Sequence, residues 1–573
     1  MEVGAFEEVC VDGVCVEDAV SSGEESDVDF DGDVSDGEGD QAVPCEDDIG
    51  ESNVHNHAVI PDSWSSSNIV GIEALPFTSY AGVRLDIVPP NASCSDYFNM
   101  LWPDTLFELI ADQTNLYADQ TRSVAEAGGK PHARAWHPTT PEEMKAFFSL
   151  NILFGLHRLP RIEMYWSGKV AYRNPFAIGT MSLVRFQQLN RYLHLADSSK
   201  APAKGSPGYD PLYKVRPVLD MCNATFSEHY QPEQALSIDE AMVRFKGRWE
   251  HIQYMPCKPT KWGIKVWILA ESKSGYCLRF EIYTGKVQTD ADRIVRRREY
   301  GVGYDVVMNL LTPNYLNKGH HVYIDRFFCS VLLASDLVSK QTCSTSTILL
   351  NRKGLPAEAK TCKLKTPGTV VEFQKGPLTL TLFHDKRTVS HLSTEHRIVS
   401  SSGSGWCKPF VNLDYNKNMG GVDLCNQNCS YYPPGKEGMK WWRYILWWAL
   451  NVTLGNAFRI FKLSSVNAPA AVGKVRVKDS LDFRDAVMEE LNKCYVRSGN
   501  RSRSSTSTGN LASRRHDIVR VEGQQKYCKQ CSIKGRKTKT GGYIRTYYMC
   551  SSCQTALCKS GCFAEWHSDR NLN

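Results

Sequence analysis

A run of cysteines near the end of the chain constrains its fold more than any other feature. Cys528-x2-Cys531 and Cys550-x2-Cys553 are separated by eighteen residues, and Cys558-x3-Cys562 and His567 follow. Six of the twenty cysteines fall within these 35 residues. Paired thiols at this spacing form knuckles that close a tetrahedral thiolate shell, so a small zinc-binding domain is expected here. Cys528, Cys531, Cys550, Cys553, Cys558, Cys562 and His567 are seven ligand-type residues, one short of two four-ligand sites. One or two structural Zn2+ ions fit that number.

Charge divides the rest of the chain. Residues 1–51 carry 19 Asp and Glu and neither Lys nor Arg, and the first basic residue is Arg84. What remains holds 67 basic against 44 acidic residues, a balance that calls for a polyanionic partner. Met1–Cys10 lacks the basic and apolar regions of a signal peptide. The apolar stretch from Trp441 to Leu454 includes Arg443 and Asn451 and is too short to span a bilayer, so no membrane association is expected. The cysteines then belong to a reducing compartment.

At 573 residues the chain is long enough for several folded units. Residues 1–75 read as an acidic disordered tail. Residues 76–235 read as a helical region. Within it, Tyr97 to Ile110 recurs near a 3.6-residue period, and Thr140-Pro141-Glu142-Glu143 supplies a helix cap, a first-turn Pro and first-turn acids. Strand patterns follow at Trp262–Leu269, Tyr276–Tyr283, His320–Ile324 and Leu378–Leu382, and helix returns at Trp441–Phe461. These divide the middle into a core in two parts, 236–345 and 413–465, around a β-rich insertion, 346–412. Residues 466–523 read as a region with a basic linker, and 524–570 as the cysteine-rich domain.

Three aspartates stand where functional groups gather. Asp325 ends the apolar run His321-Val322-Tyr323-Ile324, Asp239 lies in Ser237-Ile238-Asp239-Glu240, and Asp423 follows Gly420-Gly421 at the start of a helical stretch. Their surroundings are Lys214-Val215-Arg216-Pro217, Ile238-Asp239-Glu240-Ala241-Met242 with Phe245-Lys246-Gly247-Arg248, and Lys261-Trp262-Gly263-Ile264-Lys265. Further along come Tyr323-Ile324-Asp325, Asn351-Arg352-Lys353-Gly354-Leu355-Pro356 and Asp414-Tyr415-Asn416-Lys417-Asn418-Met419-Gly420-Gly421-Val422-Asp423. Over about residues 97–567 the chain resembles the piggyBac transposase family, in its vertebrate piggyBac-derived and Uribo-type form.

The resemblance implies an α/β fold with an RNase H-like catalytic core, a mixed sheet with flanking helices. It implies a triad of Asp239, Asp325 and Asp423 holding two Mg2+ ions, which take hard oxygen ligands and stabilise both oxygens of an in-line phosphoryl displacement. It further implies cut-and-paste transposition of double-stranded DNA at TTAA through a hairpin intermediate, recognition of transposon terminal repeats, a homodimer and residence in the nucleus. The family commonly has a fourth acid three residues after the last aspartate; here that position is Asn426, which can ligate a cation but supplies no charge. A domesticated, catalytically weak DNA-binding or chromatin protein is therefore the alternative. Arg244, Lys246, Arg248, Lys258, Lys261 and Lys265 are expected to neutralise phosphates beside Asp239. Arg352 and Lys353 are expected to contact DNA from the insertion, and Trp441 to stack on an unpaired base.

Overall fold

The computed structural model describes residues 63–568, save 85–87, 89–91, 130–133, 286–290, 396–407, 468–476, 496–517 and positions 68, 257, 313, 437, 494, 522, 552 and 554. Most of the acidic tail and the 497–515 part of the basic linker thus lie outside the described residues. No helix among those described is long and apolar enough to cross a membrane.

Six helices come first: α1 (Cys94–Leu101), α2 (Asp104–Ala127), α3 (Pro141–Leu156), α4 (Pro175–Thr180), α5 (Leu183–Tyr192) and α6 (Arg216–His229). The Thr140 cap forms as expected, its hydroxyl accepting the Glu143 N–H, with Pro141 in the first turn. The residues of α3 are buried nearly all round. A helix of that kind belongs inside a layer.

A short strand, β1 (Gly82–Val83), pairs with β2 (Tyr230–Gln231). The main sheet follows: β3 (Ala235–Arg244), β4 (Gln253–Tyr254), β5 (Trp262–Glu271), β6 (Cys277–Ile282), β7 (His321–Ile324), β8 (Cys343–Thr347), β9 (Val370–Lys375), β10 (Leu378–His384) and β11 (Thr388–Ser393). Its order is β4-β5-β3-β7-β8-β11-β10-β9, with β6 also on β5. Only β3–β7 and β7–β8 are parallel among these pairs. The run β6-β5-β3-β7-β8, three antiparallel strands and then two parallel ones, is the RNase H-like core expected from the sequence. The insertion strands extend this sheet: β11 pairs with β8 through His391↔Thr347 and Ser393↔Thr345.

Between the strands lie α7 (Ala291–Tyr300), α8 (Val302–Leu311), α9 (Val331–Ser339) and α10 (Ala357–Thr361); after them come α11 (Phe410–Asn418), α12 (Gly421–Tyr431), α13 (Trp441–Asn467) and α14 (Ser480–Lys493). α11 and α12 cover one face of the sheet. The segment leading into α9 lies on the other, where Phe328 meets Trp267 and Cys329 Sγ lies 2.7 Å from Ser346 Oγ. α14, within the expected basic-linker region, packs on α1 and α3 in the helical layer. Residues 63–75, placed by composition with the tail, run along the fold: Trp64 Nε1 donates to the Gly354 carbonyl at 2.7 Å, and Ser65 bridges to Gln374.

Candidate active site

Strand alternation sets the geometry. His321, Tyr323 and Asp325 point to one face, and the register Ser237↔Tyr323 and Ile238↔Ile324 puts Asp239 beside Asp325 on that face. Adjacent strands lie about 4.8 Å apart, so these carboxylates are next-strand neighbours. Asp325 stands just past the C-terminal end of β7, where parallel strands gather functional groups.

Asp325 is held from several directions. Thr347 Oγ1 donates to its Oδ1 at 2.9 Å, and the Arg326 N–H donates to the same oxygen at 2.6 Å. Arg352 Nη2 donates to the Arg326 and Phe327 carbonyls, 2.9 Å each. Arg352, expected to contact DNA, binds the loop after Asp325 through these bonds.

Asp423 arrives on the first turn of α12. A Cβ at Gly421 would collide with Ser237 Oγ and lie 2.7 Å from the Glu271 carbonyl. Ser237 and Asp239 share a face, so this close seat brings α12 over Asp239. Burial first, then Glu240 and Asp423, push the Asp239 carboxyl up to about 7, against the pull of the Glu240 N–H and Lys258. Tyr415 of α11 lies close to both strand acids: burial first, then the charges of Asp325 and Asp239, hold its phenol above its ordinary value. Asp423 and Asn426, one turn apart, line a cavity of about 630 Å³ with Glu240, Lys258, Arg158 and Lys436.

The expected basic residues separate into two groups. Arg244, Lys246, Arg248, Lys261 and Lys353 are exposed. Lys258 is paired with Glu240 at 3.0 Å. Lys265 lies 3.8 Å from Glu240, largely buried, with its ammonium 4.0 Å from the Trp267 ring centre, and burial lowers its pKa. It serves the interior of the fold, because its strand position faces Trp267 and Phe327. Trp441 stacks face to face on Trp249, ring centres 4.7 Å apart and planes 14° from parallel. Thr347, Tyr415, Trp249 and Glu240 were not singled out in the sequence. For Thr347 a signal existed: Cys343-Ser344-Thr345-Ser346-Thr347 is an almost wholly polar strand that is nonetheless buried.

The terminal cysteines fall into two groups of ligand-type residues. Cys528, Cys531, Cys558 and Cys562 have their sulfurs within 4.8 Å of one another; Cys550, Cys553 and His567 form the second group. The two Cys-x2-Cys pairs thus enter different groups, since the chain folds back and Lys529 N–H donates to the Ala556 carbonyl. His567 Nδ1 lies 2.7 Å from the Phe563 carbonyl, which leaves Nε2, 3.5 Å from Cys553 Sγ, as the ligand atom. Arg536 bonds to Glu565 and to the Cys562 sulfur, and Lys534 pairs with Glu565, so both cations brace the domain.

A mixed sheet of this order, with Asp239 in the middle of β3 and Asp325 just past β7, and a terminal cysteine domain go with a transposase-type protein. The profile described as Transposase IS4 matches residues 93–458, and that of a DDE_Tnp_1-like zinc finger matches 511–568. The chain belongs to the piggyBac transposase family. It is 24% identical over 433 residues to PiggyBac transposable element-derived protein 2 of Homo sapiens, covering 71% of this chain and 67% of that protein. It is 25% identical over 509 residues to the human PiggyBac transposable element-derived protein 3, covering 83% and 76%. It also resembles the piggyBac transposase in a cryo-EM structure of its synaptic complex with hairpin DNA. That match has a TM-score of 0.63 at 23% identity and covers 84% of this chain and 100% of the other.

Proposed function

We propose that this protein is a cut-and-paste DNA transposase acting at TTAA sites. Asp239, Asp325 and Asp423 are its catalytic acids. The observation that carries this reading is their approach from two adjacent parallel strands and a helix seated on the same face. Three carboxylates, one half-buried and raised first by that desolvation and then by its acidic neighbours, are the donor set that hard divalent cations satisfy. Asp239, Asp325 and Asp423 would hold two Mg2+, with Asn426 offering a neutral carbonyl. When bound, the ions neutralise charge on the attacking and leaving oxygens of a phosphodiester. Water first frees a 3′ hydroxyl, which then attacks the opposite strand to give a hairpin. Arg244, Lys246, Arg248, Lys261 and Lys353 face the DNA backbone; Trp441, presented on Trp249, offers a stacking surface to an unpaired base. The cysteine domain carries structural Zn2+, the protein works as a homodimer on terminal repeats, and it acts in the nucleus.

One observation favours a second reading, a domesticated DNA-binding protein with weak catalysis: Asn426 lines the cavity with Asp423 where a further acid would add charge. Plasmid excision followed by sequencing of the repaired junctions decides between them. Transposase activity gives footprint-free TTAA junctions that vanish with Asp325→Ala. Excision no better than that control, with DNA binding retained, establishes the second reading. Under the first, Asn426→Asp raises excision several-fold at limiting Mg2+ and little at saturation.

A further inference from the structure

The polar face under α11 continues past the three aspartates. Toward the other end of β7, His321, Glu395 and Asp414 bring one ring nitrogen and two carboxylate oxygens within 4.8 Å of one another. His321 is 3% and Glu395 5% exposed. Asp414 lies on α11, directly ahead of the helix that bears Asp423, and Glu395 follows β11.

The hydrogen bonds assign the atoms that face inward. Ser393 donates its hydroxyl to the Glu395 carbonyl at 2.7 Å, so the hydroxyl proton of Thr345, 2.8 Å away, goes to Ser393 Oγ. Thr345 Oγ1 then accepts from His321 Nε2–H at 2.7 Å. That leaves His321 Nδ1 turned to Glu395 Oε2, 3.2 Å away. Tyr323 donates to Asp414 Oδ2 at 2.7 Å, and Asn418 Nδ2 to its Oδ1 at 3.0 Å. The imidazole and the Asp414 carboxylate are therefore each oriented from behind by groups that are not ligands themselves, as metal-binding side chains are. Two carboxylates this close, Glu395 buried and Asp414 half-buried, repel each other, and a cation shared with the imidazole offsets that repulsion.

We propose that His321, Glu395 and Asp414 form a structural metal site, separate from both the aspartate triad and the cysteine domain, for a first-row divalent ion of the zinc class. One imidazole nitrogen with two carboxylate oxygens suits such an ion, whereas Mg2+ retains several waters and suits a wetter site. The ion ties β7, the end of β11 and α11 together, and so fixes the strand that delivers Asp325 to the helix that leads to Asp423.

The test is native mass spectrometry of the full chain, stripped by chelator and reloaded at buffered free Zn2+. The parent is expected to hold one zinc more than Asp414→Asn or His321→Gln, while Cys528→Ser loses zinc independently of both. Thr345→Val, which removes only the group orienting the imidazole, is expected to weaken that ion's affinity 10- to 100-fold. Equal zinc counts in the parent and a cooperatively melting Asp414→Asn overturn the proposal. Should the variants fail to fold, an anomalous-scattering map of the zinc-loaded parent decides: a peak among the three side chains supports the site, and its absence overturns it.

Discussion

Asp239 is the residue on which chemistry and stability meet. Its carboxyl, raised to about 7 from an ordinary 3.8, keeps a proton in the folded chain that the unfolded chain releases. Between about pH 4 and pH 7 the folded state therefore binds more protons, so stability without divalent cations falls as pH rises through that window. Asp239→Asn stays neutral throughout and escapes the loss. In Mg2+-free buffer it is expected to raise the melting temperature by several degrees at pH 8 and hardly at pH 4.5. Calorimetry at both values checks this, and equal shifts at the two would show that neither burial nor its neighbours raise the carboxyl.

Among the elements, α12 does most to complete the site, and it does so through one glycine. Gly421 lets the helix start against Ser237, the Glu271 carbonyl and Ser272. A methyl group there must push the first turn away from the sheet, carrying Asp423 with it. Gly421→Ala is expected to cost about 1–3 kcal/mol of stability by overpacking and to lower excision at least tenfold, with DNA affinity unchanged. Denaturant melts beside the excision assay test this, and full activity would mean that Asp423 does not depend on the seat. The sequence showed Gly420-Gly421 but not its reason, because a close approach between elements far apart in the chain leaves no local pattern. Other elements were legible to different degrees. Thr140-Pro141 announced α3, and the runs in β5 and β7 announced strands. The helices α7 and α8 went unseen, and for α7 the reason is plain, although α8 buries an ordinary apolar set: Arg293, Arg296 and Arg297 of α7 turn inward onto Asp305, fully buried, with Arg293 and Arg297 also meeting Glu281. A helix whose inner face is ion-paired shows no apolar stripe to read.

For the whole molecule, the sequence separated an insertion from the RNase H-like core, and the structure joins them. Leu378, Leu380 and Leu392 belong to the same hydrophobic core as Leu236 and Ile268. Their hairpins were readable because hairpin pairing is local, whereas the joint between β11 and β8 spans 44 residues at His391↔Thr347 and was not. The cysteine domain is the opposite case. Its buried cluster consists of Cys528, Cys531 and Cys562, with Ile544 and Cys558 against it, and stands apart from the main core. So few apolar side chains cannot offset the entropy of ordering some fifty residues, and the free energy that folds this domain must come from metal binding. The main core, with its large buried sheet and helices, has no such need of the cysteine ligands. Chelation is therefore expected to expose residues 518–568 to protease while the rest of the chain resists, and to abolish one calorimetric transition and leave the main one within a few degrees. Limited proteolysis read by mass spectrometry distinguishes the cases, since a domain that stays protected without metal would require a core that these residues do not supply.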